Sequence, residues 1–305
     1  MMHLTTRTRA CAGIATALVV AALMSACSQS EAPGSETGAG EAAEPVSIDA
    51  VPEAVALLPE SISDAGVLRV AIPTNEPPTQ FYREGTQEMT GLNPDIAALI
   101  ADALGLELEV VVSNFDSIIP GLAANRFDMT VSSMTPTVER MEALDFVEYV
   151  NMGSALVVPT GNPDRIAFDA LCGKRVAVLT GSYQLTVQIP DLDAACTAAG
   201  QDPLEIQQFQ DTRQAISSLA SDRSDVVYAD GPILSYATLQ NPDFEVAEEN
   251  NVAPVGIGIT KGTGMTEPVE AAMTAIIESP EYGSVLSAYG LESMAVTEAR
   301  VNVAQ

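Results

Sequence analysis

GLNPDIAALIADALGLELEVVV, residues 91–112, joins a helix to a strand through one glycine. Gly91 precedes Asn93-Pro94-Asp95, which reads as a helix start. Proline takes the first helical position, and Asp95 is a first-turn acid that the macrodipole favours. Ile96, Leu99, Ile100 and Leu104 then recur on one helical face until Gly105 ends the run. Beyond it, Leu106, Leu108, Val110 and Val112 alternate with Glu107 and Glu109, the period of a half-exposed strand.

The same alternation of strand and helix runs along the chain on both sides. Residues 66–72, GVLRVAI, read as a strand stopped by Pro73, Pro77 and Pro78. Residues 118–125 read as a short helix and 127–132 as a strand. The rhythm restarts at a strand over 175–179, followed by Gly181-Ser182-Tyr183-Gln184 turning into a helix interrupted at Pro190. Strands at 206–209 and 225–229 flank a helix at 215–220, and Asp230-Gly231-Pro232 opens another helix. A strand at 256–260 precedes helices at 267–277 and 281–289. This order predicts an α/β fold with mainly parallel sheets. Ligands in such sheets sit beyond the carboxyl ends of the strands, which selects three loops: 132–140, 180–184 and 230–232.

The amino end predicts export. Arg7 and Arg9 precede an apolar run at residues 10–23 that is too short to span a bilayer comfortably. Met24-Ser25-Ala26-Cys27 then resembles the lipobox of bacterial lipoproteins, with Met24 where leucine is usual. An ordinary signal cleaved nearby is the alternative, and it exports the protein too. Residues 27–60 are rich in Ser, Glu, Ala, Gly and Pro and read as a tether. The formal charge of −28 grows by two when the signal and its two arginines are removed. Such a chain repels nucleic acid and anionic headgroups.

Four cysteines divide simply. Cys11 lies in the signal, Cys27 is the expected lipidation site, and Cys172 and Cys196 remain. In an exported domain that pair most simply forms a disulfide, with two free buried thiols as the alternative. The single histidine, His3, lies in the signal, so no metal site and no cofactor is expected.

VSSMTPTVER, residues 131–140, carries the chemistry. Thr135 before Pro136 suits a helix N-cap, and Thr137 could cap one step later. Arg140 speaks against capping alone, because a cation near a first turn opposes the dipole. Hydroxyls, backbone N–H groups and a guanidinium converging on one point suit a carboxylate.

The order GVLRVAI, Pro78, GLNPDIAALIADALGLELE, FDSIIPGLAANRFDMTVSSMTPTVER, LCGKRVAVLTGSYQ, SDVVYADGP and PVGIGITKG resembles the family 3 extracellular solute-binding proteins. These are polar amino-acid receptors of ABC importers, and the likeness covers residues 64–295. It implies a two-lobed, periplasmic-binding-protein-like (type II) fold, each lobe a mainly parallel sheet flanked by helices. Two crossing segments near 151–153 and 253–255 would form the hinge. The implied organisation is a signal at 1–26, a tether at 27–60, lobe one at 61–151 and 254–305, and lobe two at 152–253.

By match of motif, Ser133, Thr135 and Arg140 would bind the ligand's α-carboxylate, with backbone N–H groups of Ser182 and Tyr183 touching it from the second lobe. Asp230 would hold the α-ammonium, although Asp before Gly-Pro also suits an N-cap. Asp225 reads as a structural turn acid. Phe115 matches an aromatic wall of the pocket, with core packing as the alternative. Relatives often place an aromatic where this chain has Asn75-Glu76-Pro77-Pro78. Glu76 there could meet a cationic side chain or an amide, or be a solvated loop acid. The implied role is binding rather than catalysis: a lipid-anchored receptor on the outer face of the membrane, partnered by a permease and an ATPase. Two other readings share the fold, a carboxylate-using dehydratase and a sensory lipoprotein without transport.

Overall fold

The computed structural model describes residues 46–305, with Asn251 described in its backbone only. The expected signal, Cys27 and the first part of the tether lie outside the described residues. Residues 46–60 correct the expected extent of that tether. Helix α1 (Pro52–Val55) begins on its proline and buries Ala54 completely, while Val46, Ile48, Val51 and Leu58 pack on the same apolar cluster. The Val51 N–H donates to Ala103 O at 2.8 Å. A few small apolar side chains in the right positions dock this segment, although its composition is too polar and too small to signal a core.

Helix α2 (Glu60–Ala65) ends at Gly66, whose φ of +66° forms the left-handed cap that glycine adopts without strain. The chain then enters β1 (Val67–Ile72). A two-rung ladder of β2 (Phe81–Tyr82) and β3 (Met89–Thr90) leads into α3 (Leu92–Ala103) and on to β4 (Glu107–Val112). Strand β4 pairs parallel with β1, from Val67 against Glu107 to Ile72 against Val112. After α4 (Ile118–Ala123), β5 (Met129–Met134) adds to the other side of β1, also parallel.

A long strand, β6 (Leu144–Pro159), leaves this half. The second half then repeats the plan with β7 (Arg175–Leu179), α5 (Ile189–Ala198), β8 (Glu205–Phe209), α6 (Thr212–Ala220), β9 (Val226–Asp230) and α7 (Gly231–Gln240). Strand β7 is parallel to both β8 and β9. A second long strand, β10 (Phe244–Thr260), returns antiparallel along β6, and α8 (Thr266–Glu278) and α9 (Pro280–Ala288) close the first half. Sixteen residues of β6 span about 50 Å, enough to serve both halves. The sheet order is therefore continuous: β4-β1-β5-β10-β6-β9-β7-β8.

Separate cores form on the two sides. Within β6, Val147, Tyr149, Val150 and Met152 join the first apolar cluster, Leu144 and Phe146 a smaller one beside it, and Ala155 and Leu156 those of the second half. Register shifts in β10 between Asn250 and Ala253, and between Val255 and Gly256, flank Pro254, which cannot donate to a ladder. The expected disulfide is present, with Cys172 and Cys196 bonded and their Cα atoms 5.5 Å apart. It ties the approach to β7 onto α5.

Both halves carry the same brace. Arg69 in β1 sends its own N–H and its Nε to Asp128 Oδ2, at 2.8 and 3.1 Å, and Nη1 to Asn125 O at 3.1 Å. Arg175 in β7 sends its N–H to Asp225 Oδ2 at 2.7 Å, its Nε to Asp225 Oδ1 at 3.1 Å, and Nη1 to Asp222 O at 2.7 Å. Asn125 and Asp222 share a left-handed φ of +55°. Asp225 is thus the structural acid that its place in the sequence predicts. Each brace binds the start of a first strand to the residue that leads into the third.

Candidate functional site

Six loops at the carboxyl ends of β1, β4, β5, β7, β8 and β9 converge on one cavity, as parallel sheets predict. All eight residues expected to meet a ligand line it. Glu76, Phe115, Ser133, Thr135 and Arg140 come from the first half, and Ser182, Tyr183 and Asp230 from the second. The enclosed space is about 20 Å³, measured by where the centre of a water-sized sphere fits, which is roughly one or two waters. The walls are drawn together over it.

Arg140 is 8% exposed. Its Nη1 donates to Thr135 O at 2.7 Å, and its Nη2 crosses to Gly181 O at 2.8 Å. The guanidinium carbon lies 5.5 Å from the centre of the Phe115 ring, a cation–π contact. Phe115, half-buried, is therefore a support beneath the arginine as well as a wall of the cavity. Burial pulls the guanidinium down to about 10, with Asp230 and Glu139 acting in the other direction. It remains a cation at neutral pH.

Two carboxylates face it, Glu76 buried and Asp230 half-buried. Asp230 precedes α7, but its side chain makes no capping bond, so the N-cap alternative is not realised. Instead Asp230 Oδ1 accepts from Gln184 Nε2 at 2.8 Å. Burial pushes this carboxyl up to about 6, against the pull of Gln184 and Arg140. Glu76 is 4% exposed, which removes the solvated-loop reading. Its Oε1 accepts from the Thr212 N–H at 2.8 Å and its Oε2 from Gln80 Nε2 at 3.3 Å. Asp211 caps α6 through the Gln214 N–H, and Glu76 reaches the same helix start from the other half, where the dipole favours an anion. Burial raises Glu76 to about 7, opposed by the Thr212 bonds and reinforced by Asp230 and Asp211.

Two expectations need correction. The Ser182 N–H is not free for a ligand. It closes the turn onto Leu179 O at 3.1 Å, and Ser182 Oγ accepts from the Leu185 N–H, because Gly181 at φ +76° folds the chain back there. The 132–140 loop does not open an α-helix. A short 3₁₀ turn forms at Arg140–Glu142, and Thr137 Oγ1, not Thr135, accepts the Arg140 N–H. Sequence reasoning also passed over Gln80, Gln184 and Thr212 as cavity residues, and left Ser132 without a site role. Ser132 Oγ is buried without a hydrogen-bond partner beside the cavity. Thr212 follows β8, a strand end whose loop the three-loop reading omitted.

The model of the bacterial extracellular solute-binding proteins, family 3, matches residues 68–292. The chain is 27% identical over 269 residues to the arginine-binding protein ArgT of Corynebacterium glutamicum, covering 88% of each. Among solved structures it is similar to an ancestral arginine-binding protein bound to arginine, at 28% identity and a TM-score of 0.67, over 73% of this chain and 98% of that one. The ancestral amino acid-binding protein AncCDT-1, a precursor of cyclohexadienyl dehydratase, is similar at 26% identity and a TM-score of 0.65, over 75% and 97%.

Proposed function

The chain belongs to the bacterial extracellular solute-binding proteins of family 3, and from that premise we propose that it closes two lobes on an amino acid with a positive side chain. One observation carries the reading, the charge left unpaired in the cavity. Among the described residues, Arg140 has no carboxylate within ion-pair distance, and neither Asp230 nor Glu76 has a cation within that distance. Buried charges of this kind call for partners. A ligand's α-carboxylate answers Arg140, helped by Ser133, Thr135 and Tyr183. Its α-ammonium answers Asp230, and a cationic side chain answers Glu76. A neutral amino acid leaves one carboxylate unmatched. The names of the arginine-binding relatives favour the same class.

Capture is by hinge bending where β6 and β10 cross, near 151–153 and 253–255. Residues 46–151 and 254–305 form one lobe and 152–253 the other. The held ligand is passed to a permease driven by an ATPase, with a lipid on Cys27 keeping the receptor at the outer face of the membrane. The reading is of a binding protein. The dehydratase alternative raised by AncCDT-1 is tested by incubation with a prephenate-like acid, where product formation would replace this proposal. Calorimetry with L-arginine, L-lysine, L-ornithine, L-glutamine and L-glutamate tests the ligand class. The basic three bind and the others bind much more weakly; equal affinity across the set refutes the role given to Glu76, and no binding refutes the whole reading. A Cys27→Ser protein that stays processed and membrane-bound removes the anchor.

A further inference from the structure

Ser133 has a φ of +53°, a region sparsely populated by serine and kept only where the surroundings over-determine it. Two fully buried side chains, Asn93 and Tyr149, supply that determination. The Ser133 N–H donates to Tyr149 Oη at 2.9 Å, and Tyr149 Oη lies 2.6 Å from Asn93 Oδ1. Asn93 Nδ2 lies 2.8 Å from Gln80 Oε1 and 3.2 Å from Ser133 Oγ.

The direction of every bond in this set follows from one backbone group. An N–H can only donate, so Tyr149 accepts from Ser133 and its single hydrogen goes to Asn93. Burial pushes the phenol far up, which keeps that hydrogen in place. Asn93 therefore turns its oxygen to Tyr149 and both amide hydrogens to Gln80 and Ser133. Ser133 Oγ accepts one of them, and its own hydrogen is left for the cavity it lines. Gln80 accepts the other, which turns its Nε2 toward Glu76.

We propose that Asn93 and Tyr149 are positioning residues that commit the Ser133 hydroxyl to donate into the cavity, and so make the site prefer a carboxylate to a carboxamide. This rests on the amino-acid-binding reading above. Neither residue lines the cavity, and each acts only through Ser133 and Gln80.

A double-mutant cycle read with two probes, L-arginine and L-argininamide, tests it. Tyr149→Phe removes the hydroxyl without changing charge, so Asn93 is free to turn and Ser133 loses its fixed direction. Affinity for L-arginine falls roughly 10-fold, the scale of one hydrogen bond to a charged group, while L-argininamide changes about threefold or less. In a Ser133→Ala background, Tyr149→Phe leaves the acid-to-amide ratio where Ser133→Ala alone puts it. Should Tyr149→Phe fail to fold, Asn93→Asp keeps the acceptor for Tyr149 and removes both amide donors. Its effect on the ratio is larger with Ser133 present than with Ser133→Ala. The proposal is overturned if both probes weaken together, or if the ratio shifts equally in the two backgrounds. An Arg140→Ala arm separates the two claims. If that variant binds L-arginine normally, the carboxylate clamp itself has failed. If it loses binding while the cycle shows no coupling, only the positioning role has failed.

Discussion

Arg140→Ala separates recognition from stability. In the closed cavity the guanidinium is desolvated and stacked on Phe115, and the proposed ligand carboxylate is its counter-charge. Removing one partner of such a pair costs about 2–5 kcal/mol of binding, a 30-fold to several-thousand-fold loss of affinity. The ligand-free fold responds differently. Burial lowers the arginine from its usual 12.5 to about 10, and at 1.36 kcal/mol per pH unit this is a penalty of roughly 3 kcal/mol at neutral pH. The substitution relieves that penalty but forfeits the bonds to Thr135 O and Gly181 O and the contact with Phe115, each about 1 kcal/mol. The two sides nearly cancel, so thermal unfolding without ligand moves little while calorimetric affinity collapses. Arg140→Lys recovers part of the loss, because an ammonium cannot form two parallel bonds to a carboxylate. Unchanged affinity in a folded Arg140→Ala protein refutes the reasoning. So does a large fall in melting temperature, which would make the arginine a structural strut.

The two cavity acids predict a pH dependence. Glu76 at about 7 and Asp230 at about 6 must both be ionised to receive cationic groups, so L-arginine affinity rises from pH 5 to about pH 7.5 and then levels. Flat calorimetric affinity over that range counts against both roles. Because the folded Glu76 is raised from 4.5 to about 7, its contribution to ligand-free stability is fully present below about pH 4.5 and is lost as pH rises through 7; Glu76→Gln flattens that part of the melting profile. Replacing Cys172 and Cys196 by serine opens a loop with a sequence separation of 24 and lowers stability by about 3 kcal/mol, read by denaturant unfolding. Gly91→Ala, at φ +124° with its new Cβ 2.7 Å from Thr79 O, destabilises by about 2 kcal/mol or more and disturbs Gln80; an unchanged midpoint refutes the close approach.

Local pattern located most short elements and, through the strand-end rule, the right side of the sheet. The 175–179 strand and the helix after Gly91 stand almost where periodicity places them. The long strands did not announce themselves. β6 is buried on both faces along most of its length, so it lacks the alternation that marks a strand, and β10 carries Glu-Glu-Asn-Asn and Pro254 in its middle, which read as a loop. Arg140 was legible because a cation near a first turn opposes the helix dipole, and Asp230 through its match of motif. Thr212 was not, since it contributes a backbone N–H, which no side-chain type encodes. The Asn93–Tyr149–Ser133 set was hidden for another reason: its members are 40 and 16 residues from Ser133 in the chain, and only the fold brings them together.

The paired arginine–aspartate braces have a consequence for how such a protein can change. Each fastens the amino edge of its sheet, while every cavity residue hangs from the carboxyl edge. Substitutions that retune the pocket therefore leave the fasteners untouched, and a fastener lost in one half leaves its twin intact in the other. Selectivity and scaffold are written at opposite margins of the same strands, so ligand preference can drift across descendants of this chain without the architecture being renegotiated each time.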